Sequence, residues 1–477
     1  MSNSSPLPRH IHVIGICGVA TSALAVAFHK KGVKVTGSDK GFFPPVSTEL
    51  EKQGIIFYAG WHPEKIEESG RPDLIICGAG GTSLSNPEMV YAKEQNIPLM
   101  SFAQALGAYI VQKNSIVATG TWGKTTISCL LSYIMIEAGM DPSYFTGGIS
   151  LSHDTGAIGN SDWSVVEGDE YQAAIWDKRP KFDYYKPSHL ILTKVSWDHA
   201  DLYPTEESYF DAFRKLIASL PENGLILACA DDDGVLQILS DTSTTARVVR
   251  YGREPEEPEA EAPHYWYANV RQSKKGISFD IHCDEEVWNV GSPMLGGFNA
   301  ENITACFAMA HEIGIEPEKI LAGIEGFKGI KRRFEKRFEG EVTVLDCHAP
   351  TPEKAASILT SIREIYDQQI IAVFEPNIGS REREAIPQYS DAFDAADMVV
   401  IPRLTKLKVA EGAAEQPMEG DELAQVVSQT NKNCSYIEDD TKLVDLLISS
   451  AKKDDVIVFL GSHGFRGMIE ETIGKVK

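Results

Sequence analysis

Gly120-Thr121-Trp122-Gly123-Lys124-Thr125-Thr126 follows the apolar run Ser115-Ile-Val-Ala-Thr119. A buried strand, a glycine turn and a helix start in succession predict a phosphate-binding loop in an α/β domain. The glycines free the backbone, and a run of N–H groups at the helix N-terminus cradles phosphate oxygens. Lys124 places a point charge on the β- and γ-phosphates, and the Thr125 hydroxyl is placed to bind Mg²⁺. The ligand expected on Gly120, Thr121, Gly123, Lys124, Thr125 and Thr126 is therefore ATP. The spacing is one residue pair short of the usual Gly-x4-Gly-Lys, which narrows the choice of family.

Upstream, Ile11-His-Val-Ile14 leads into Gly15-Ile-Cys17-Gly18 and a helical run from Thr21 to Lys31. Val33-Lys-Val-Thr36 ends in Gly37-Ser38-Asp39, and Asp73-Leu-Ile-Ile-Cys77 ends in Gly78-Ala-Gly-Gly81. Strand, glycine turn, helix and strand form a βαβ unit that brings backbone N–H groups to a phosphate. Gly15-x-x-Gly18 is part of a dinucleotide fingerprint, and a tight turn in any doubly wound sheet is the bland alternative. Asp39 stands where a ribose-binding acid would sit.

Downstream of the phosphate loop, strands are expected at Trp163–Val166, His189–Thr193, Gly224–Ala228, Trp266–Val270 and Gly276–Cys283. The acidic, proline-rich residues 252–264 are expected to form a solvated loop. From about residue 330, Val342–Leu345, Gln369–Phe374, Met398–Ile401 and Val456–Leu460 alternate with amphipathic helices. At 477 residues the chain is too long for one core. Three consecutive α/β domains are expected, at residues 1–112, 113–328 and 329–477.

The formal net charge of −23 argues against non-specific binding to nucleic acid or an anionic membrane. No apolar stretch reaches the length of a membrane span, and the N-terminus has no apolar signal core. The eight cysteines include no Cys-x-x-Cys pair, so neither a zinc site nor a redox motif is expected. Reduced cysteines within apolar runs fit a soluble protein of the cytoplasm.

Val165-Val-Glu167-Gly-Asp169-Glu170 puts three carboxylates at the end of a strand, where they could hold Mg²⁺ as hard oxygen ligands. Trp197-Asp198-His199-Ala-Asp201 also follows an apolar run, and a histidine flanked by acids could ligate metal or orient a phosphate.

Together these residues make the chain resemble the Mur ligases, ATP-dependent amide-bond-forming enzymes of peptidoglycan assembly. The short phosphate loop, the carboxylate Glu167 and the pair Asp198-His199 carry the resemblance. So do Gly297-Phe-Asn299-Ala-Glu-Asn302, similar to an adenine-contacting segment, and Lys331-Arg332-Arg333-Phe334-Glu335, whose Arg333 would reach the ATP phosphates. Asp346 matches an aspartate at the start of the third domain. The resemblance implies a Rossmann-like first domain binding UDP-sugar through Gly15, Cys17, Gly18, Ser38 and Asp39. It implies a central ATP domain and a Rossmann-like third domain that takes the incoming amine. Lys124, Glu167, His199 and Arg333 would be catalytic, with Mg²⁺ on Thr125, Glu167 and His199.

Within the family, the first domain is similar to the branch acting on UDP-N-acetylmuramate. Glu167-Gly-Asp-Glu-Tyr171, Asp177-Lys-Arg-Pro-Lys-Phe182 and Phe43-Phe-Pro-Pro-Val-Ser47 look closer to the muropeptide-recycling enzymes, which add a tripeptide, than to those adding L-alanine. Asp346-Cys-His-Ala-Pro-Thr-Pro and Glu375-Pro-Asn-Ile-Gly-Ser-Arg381 depart from the pattern and leave the incoming amine open between the two. A UDP-sugar-binding regulator without turnover is a further alternative. A carbamylated lysine would fall near Phe213-Arg214-Lys215, with no secure counterpart. A monomer or weak homodimer is expected.

Overall fold

Short apolar runs bounded by glycine form the buried parallel strands of three sheets. A computed structural model describes residues 6–42, 46–78, 83–255, 262–405 and 416–477. In the first sheet β1 (His10–Ile14) is buried along its length, between β2 (Lys34–Asp39) and β4 (Leu74–Cys77), both parallel to it. With β3 (Ile56–Ala59) and β5 (Leu99–Ser101) the order is β3-β2-β1-β4-β5. The order reverses at β1, and ligands of open α/β sheets bind in the crevice at such a switch point. There the chain leaves β1 through Gly15–Gly18 into helix α1 (Val19–Lys30).

The second sheet has the order β17-β16-β15-β14-β13-β12-β6-β9-β7-β8. Its central strand β6 (Asn114–Thr119) lies parallel between β9 (Trp163–Gly168) and β12 (His189–Leu192). Both neighbours deliver acidic or polar residues just past their C-terminal ends, beside the loop that follows β6. On one side stand β7 (Ser143–Phe145) and β8 (Gly156–Ala157). On the other are β13 (Leu225–Cys229), β14 (Arg247–Arg253), β15 (Tyr265–Ser273), β16 (Gly276–Cys283) and β17 (Glu286–Ser292). A separate hairpin of β10 (Gln172–Ala174) and β11 (Asp177–Pro180) follows β9.

The third sheet, β18-β19-β23-β20-β21-β22, is parallel except for the antiparallel β18 (Glu335–Glu339). Its core strands β19 (Thr343–Cys347), β20 (Ile370–Glu375), β21 (Met398–Pro402) and β23 (Val456–Gly461) are wholly buried, and β22 (Cys434–Ile437) forms an edge. Apolar residues cover both faces of this sheet.

The chain divides into two compact units. One comprises Met1–Asn269, Phe279–Gly291 and Ala300–Phe327, and the other comprises Val270–Ser278, Ser292–Asn299 and Lys328–Lys477. The α/β class expected from the sequence holds throughout. The expected solvated loop starts later than read, because Gly252 and Arg253 belong to β14. Residues 256–261 of that stretch, Phe43–Pro45 and residues 79–82 lie outside the described residues. No helix among the described residues is long and apolar enough to cross a membrane.

Candidate active site

The phosphate loop is tied to the chain that leaves β12. Thr121 N–H donates to Lys194 O at 2.5 Å, and the Thr121 hydroxyl donates to Ser196 O at 2.8 Å while accepting from Ser196 N–H at 2.9 Å. Gly120 and Gly123 have φ of 130° and 85°, conformations that L side chains avoid. A Cβ on Gly123 would also lie 2.6 Å from Asn302 Oδ1, so Asn302 is packed directly against the loop. The loop opens helix α2 (Lys124–Glu137), whose first N–H groups lack intrahelical acceptors and favour an anion.

Lys124 Nζ donates to Gly120 O at 2.5 Å and to both oxygens of Glu170 at 2.9 and 3.1 Å. Burial lowers the pKa of this ammonium, but the negative field of Glu170, Glu167 and Asp169 outweighs it and the net shift is upward. Lys124 is therefore held as a cation under the loop, at the place its sequence position predicts.

The carboxylates at the end of β9 have separate partners. Glu167 accepts from Gly147 N–H at 2.9 Å and from the Thr125 hydroxyl. Burial raises its pKa, against the pull of Lys124 and these donors. Asp169 pairs with Lys181 at 2.5 Å, and Lys181 with the adjacent hydrogen bonds keeps Asp169 below its ordinary pKa despite burial. Glu170, 2% exposed, lies between Lys124 and His199, whose Nε2 is 3.6 Å from Glu170 Oε1. That contact raises the imidazole pKa, with burial opposing and Asp198 assisting. Lys124, Glu170, His199 and Asp201 line a cavity of about 500 Å³ with Glu167, Asp169 and Lys181.

Around β1 the predicted residues divide into two groups. Gly15 and Ile16 N–H donate to Ser38 O at 2.8 and 3.1 Å, and Cys17 N–H donates to Asp39 Oδ2 at 2.8 Å. The Ser38 hydroxyl is fully buried and donates to Glu88 at 2.5 Å. Cys17, Ser38 and Asp39 thus shape the loop from behind. Gly15 and Gly18 face a second cavity, about 350 Å³, together with the first turn of α1 and Gly78. Its opposite wall is Phe145, Gly147 and Glu167, and Asp169 and Lys181 line it as well.

The oxygen donors of Thr125 and Glu167 suit Mg²⁺, a hard cation, and a carboxyl whose charge is disfavoured by burial gains from a cation beside it. His199 fits less directly. Its imidazole Nε2 is engaged with Glu170 at 3.6 Å. Phe213 is buried, Arg214 pairs with Glu207, Asp211 and Asp241, and neither cavity includes Lys215.

The remaining predicted residues belong to the second unit. Asp346 lies on β19 and receives Arg332 Nε at 3.2 Å and Arg337 at 3.5 Å. Arg332 also donates to the carbonyls of Gly461, Ser462 and His463. Arg333 is exposed, between Arg332 and Phe334, both with positive φ. Asn299 donates its side-chain amide to Leu295 O at 2.7 Å. Sequence reasoning did not mark Arg332 as the partner of Asp346, nor Gly147 as a donor to Glu167. Adjacent arginines look alike in a sequence, and the glycine is twenty residues from its acceptor.

Comparison with known proteins agrees with this arrangement. Residues 10–114 match the Mur ligase family catalytic domain, residues 118–310 the Mur ligase middle domain, and residues 332–463 the Mur ligase glutamate ligase domain. The UDP-N-acetylmuramate–L-alanine ligase of Acetivibrio thermocellus is 30% identical, over 95% of this chain and 93% of that protein. The UDP-N-acetylmuramate–L-alanyl-γ-D-glutamyl-meso-2,6-diaminoheptandioate ligase of Haemophilus influenzae is 28% identical, over 98% of this chain and 99% of that protein. A crystal structure of the UDP-N-acetylmuramate–alanine ligase from Thermotoga maritima shares the fold, with a TM-score of 0.77, 22% identity, and 98% and 99% of the two chains covered. The chain belongs to the Mur ligase family and is an ATP-dependent ligase that forms amide bonds in building peptidoglycan precursors.

Proposed function

We propose that this protein joins the carboxylate of UDP-N-acetylmuramate to the amine of L-alanyl-γ-D-glutamyl-meso-diaminopimelate. The observation that carries this reading is the β10–β11 hairpin and its flanks. Glu167-Gly-Asp-Glu-Tyr171 enters it and Asp177-Lys-Arg-Pro-Lys-Phe182 leaves it, the two stretches that resemble the tripeptide-adding enzymes. The Haemophilus influenzae relative bears the name of this reaction. The second reading, L-alanine as the amine, is favoured by the Acetivibrio relative and the Thermotoga fold.

In this reading residues 1–112 bind the UDP-sugar, 113–328 bind ATP, and 329–477 bind the amine. The sugar nucleotide occupies the crevice beside Gly15, Gly18 and α1, with Cys17, Ser38 and Asp39 holding that loop in shape. ATP rests on Gly120–Thr126, with Asn302 packed against that loop; the family resemblance assigns Asn299, Arg333 and Asp346 to ATP as well. Thr125 and Glu167, with His199 as a further candidate, would hold Mg²⁺, which would supply charge neutralisation on the phosphates. Lys124 exchanges Glu170 for the β- and γ-phosphates. The muramyl carboxylate attacks the γ-phosphorus, ADP leaves, and the amine then displaces phosphate from the acyl phosphate. Catalysis rests on positioning and charge neutralisation.

The test is a mixture of purified protein, ATP, Mg²⁺ and UDP-N-acetylmuramate with either the tripeptide or L-alanine, read by product mass. A tripeptide adduct formed faster than an alanine adduct is expected. An alanine adduct alone selects the second reading, and no adduct with either amine rejects both.

A further inference from the structure

Two cavities meet at the end of β9, and they share three residues: Glu167, Asp169 and Lys181. The first cavity runs from the first turn of α1 to Glu167, and the second runs from Glu167 to Lys124 and His199. A group that reacts between a ligand in one and a phosphate in the other must sit at this junction. Lys181 is the only cationic side chain among the described residues that line the first cavity.

The chain builds this position with care for geometry. Lys181 follows the β10–β11 hairpin, its N–H donates to Tyr171 O at 3.0 Å, and the next residue, Phe182, is fully buried. The backbone is thus anchored on both sides. The Lys181 side chain is 15% exposed, and its ammonium lies 2.5 Å from Asp169 and 5.8 Å from the centre of the Tyr171 ring. A half-buried ammonium retained beside one carboxylate costs some desolvation. Its placement at the meeting of two cavities gives that cost a use.

Glu167, Asp169, Glu170 and Asp201 all line the second cavity, so a ligand carboxylate arriving at the junction meets like charge. Lys124 sits under the phosphate loop and is committed to the phosphates in the proposed reaction. A second fixed cation is needed for the acceptor, and Lys181 is placed to supply it.

We propose that Lys181 is a catalytic residue that binds the acceptor carboxylate. This rests on the reading that the first cavity takes UDP-N-acetylmuramate. The ammonium shares its protons between Asp169 and one carboxylate oxygen. The other oxygen is left to bond the γ-phosphorus as the bond from that phosphorus to the β,γ-bridging oxygen breaks and ADP leaves. Lys181 keeps its proton throughout, and its charge stays beside the acyl group when the amine nitrogen attacks.

The test compares binding of UDP-N-acetylmuramate with UDP-N-acetylglucosamine, which lacks the lactyl carboxylate, by calorimetry without ATP. The wild-type protein is expected to prefer the carboxylate-bearing nucleotide by about tenfold or more, the scale of one charge-assisted hydrogen bond. K181M should abolish or reverse the preference, with affinity for UDP-N-acetylglucosamine unchanged, and K181R should recover part of it. The double variant D169N/K181M removes the pair together and keeps the test valid if K181M alone fails to fold. Retention of the full preference in the folded variants, or no preference in the wild type, overturns the role of Lys181. Failure of the wild type to bind either nucleotide overturns the sugar-nucleotide reading itself.

Discussion

Two glycine loops in this protein have the same local plan, strand to glycine turn to helix, and they use their polar groups in opposite ways. In Gly15–Gly18 the turn is braced against the end of β2. Its N–H groups go to Ser38 and Asp39, and the Thr21 hydroxyl donates to Gly15 O at 2.6 Å. The first turn of α1 is left facing the cavity, with no cation in the loop. In Gly120–Thr126 the turn is fastened from outside by Thr193–Ser196, and it carries Lys124 and three threonine hydroxyls. A helix N-terminus alone is worth a modest interaction with an anion. A lysine held by buried carboxylates makes the second loop able to neutralise a charge that grows during reaction. The fold supplies both loops, and the residues on them separate a binding loop from a reacting one.

That contrast is most sharply tested at Lys124. Replacing it with alanine should lower kcat by about 10²–10³ or more, because a charge opposite the transferring phosphoryl group is lost. Steady-state rates with saturating ATP check this, and near-normal turnover would remove the distinction between the loops. Next in size is Gly123→Ala. With φ at 85° and Asn302 Oδ1 2.6 Å from the new Cβ, the loop must be rebuilt. ATP binding should fall by about tenfold or more while UDP-sugar binding stays within about twofold, on the scale of a strained backbone position.

At the first loop the corresponding loss is smaller. Thr21→Val removes the hydroxyl that braces Gly15 and Gly18, and the KM for the sugar nucleotide should rise about fivefold with little change in kcat, the value of one hydrogen bond. An equal fall in kcat would mean that this loop also shapes the reacting geometry.

The smallest effect is on stability against acid. His153 bridges Ser132 on α2 and Ser150 at 2.9 and 2.8 Å, and burial lowers its pKa from 6.5 to about 4. The unfolded chain therefore takes up the proton first, and stability is lost as pH falls from 6.5 toward about 4. Behind the first loop stands Glu88, which accepts from Ser38, Tyr58 and His62 N–H. Burial raises its pKa, but His12 and these donors lower it further, so its contribution is lost only as pH falls below 4.5. Melting temperatures across pH should show a shallower slope between pH 6.5 and 4.5 for H153Q and an unchanged slope there for E88Q.

Much of this was legible in the sequence because buried parallel strands are short apolar runs. β1, β6, β12 and β23 lie within a residue or two of where those runs place them. β17 was not legible, since Glu286–Ser292 mixes three apolar residues with Glu, Asn, Gly and Ser and most of it is exposed at the sheet edge. The phosphate loop was legible because its residue types are adjacent. The junction was not, because Gly147, Glu167 and Lys181 come from three separate stretches of chain, brought together by the β7–β9 pairing and by the hairpin that returns Lys181 to Asp169. In the second unit, sequence resemblance points to Arg333, while the neighbour that touches Asp346 is Arg332.

The central claim is that a carboxylate held beside one loop takes the phosphoryl group held by the other. It is tested most directly by labelling the lactyl carboxylate of UDP-N-acetylmuramate with a heavy oxygen isotope. The complete reaction is then run with ATP, Mg²⁺ and the amine, and the released inorganic phosphate is read by phosphorus NMR. An acyl phosphate intermediate requires each phosphate formed during ligation to carry one oxygen from the carboxylate. Ligation accompanied by unlabelled phosphate would contradict the account.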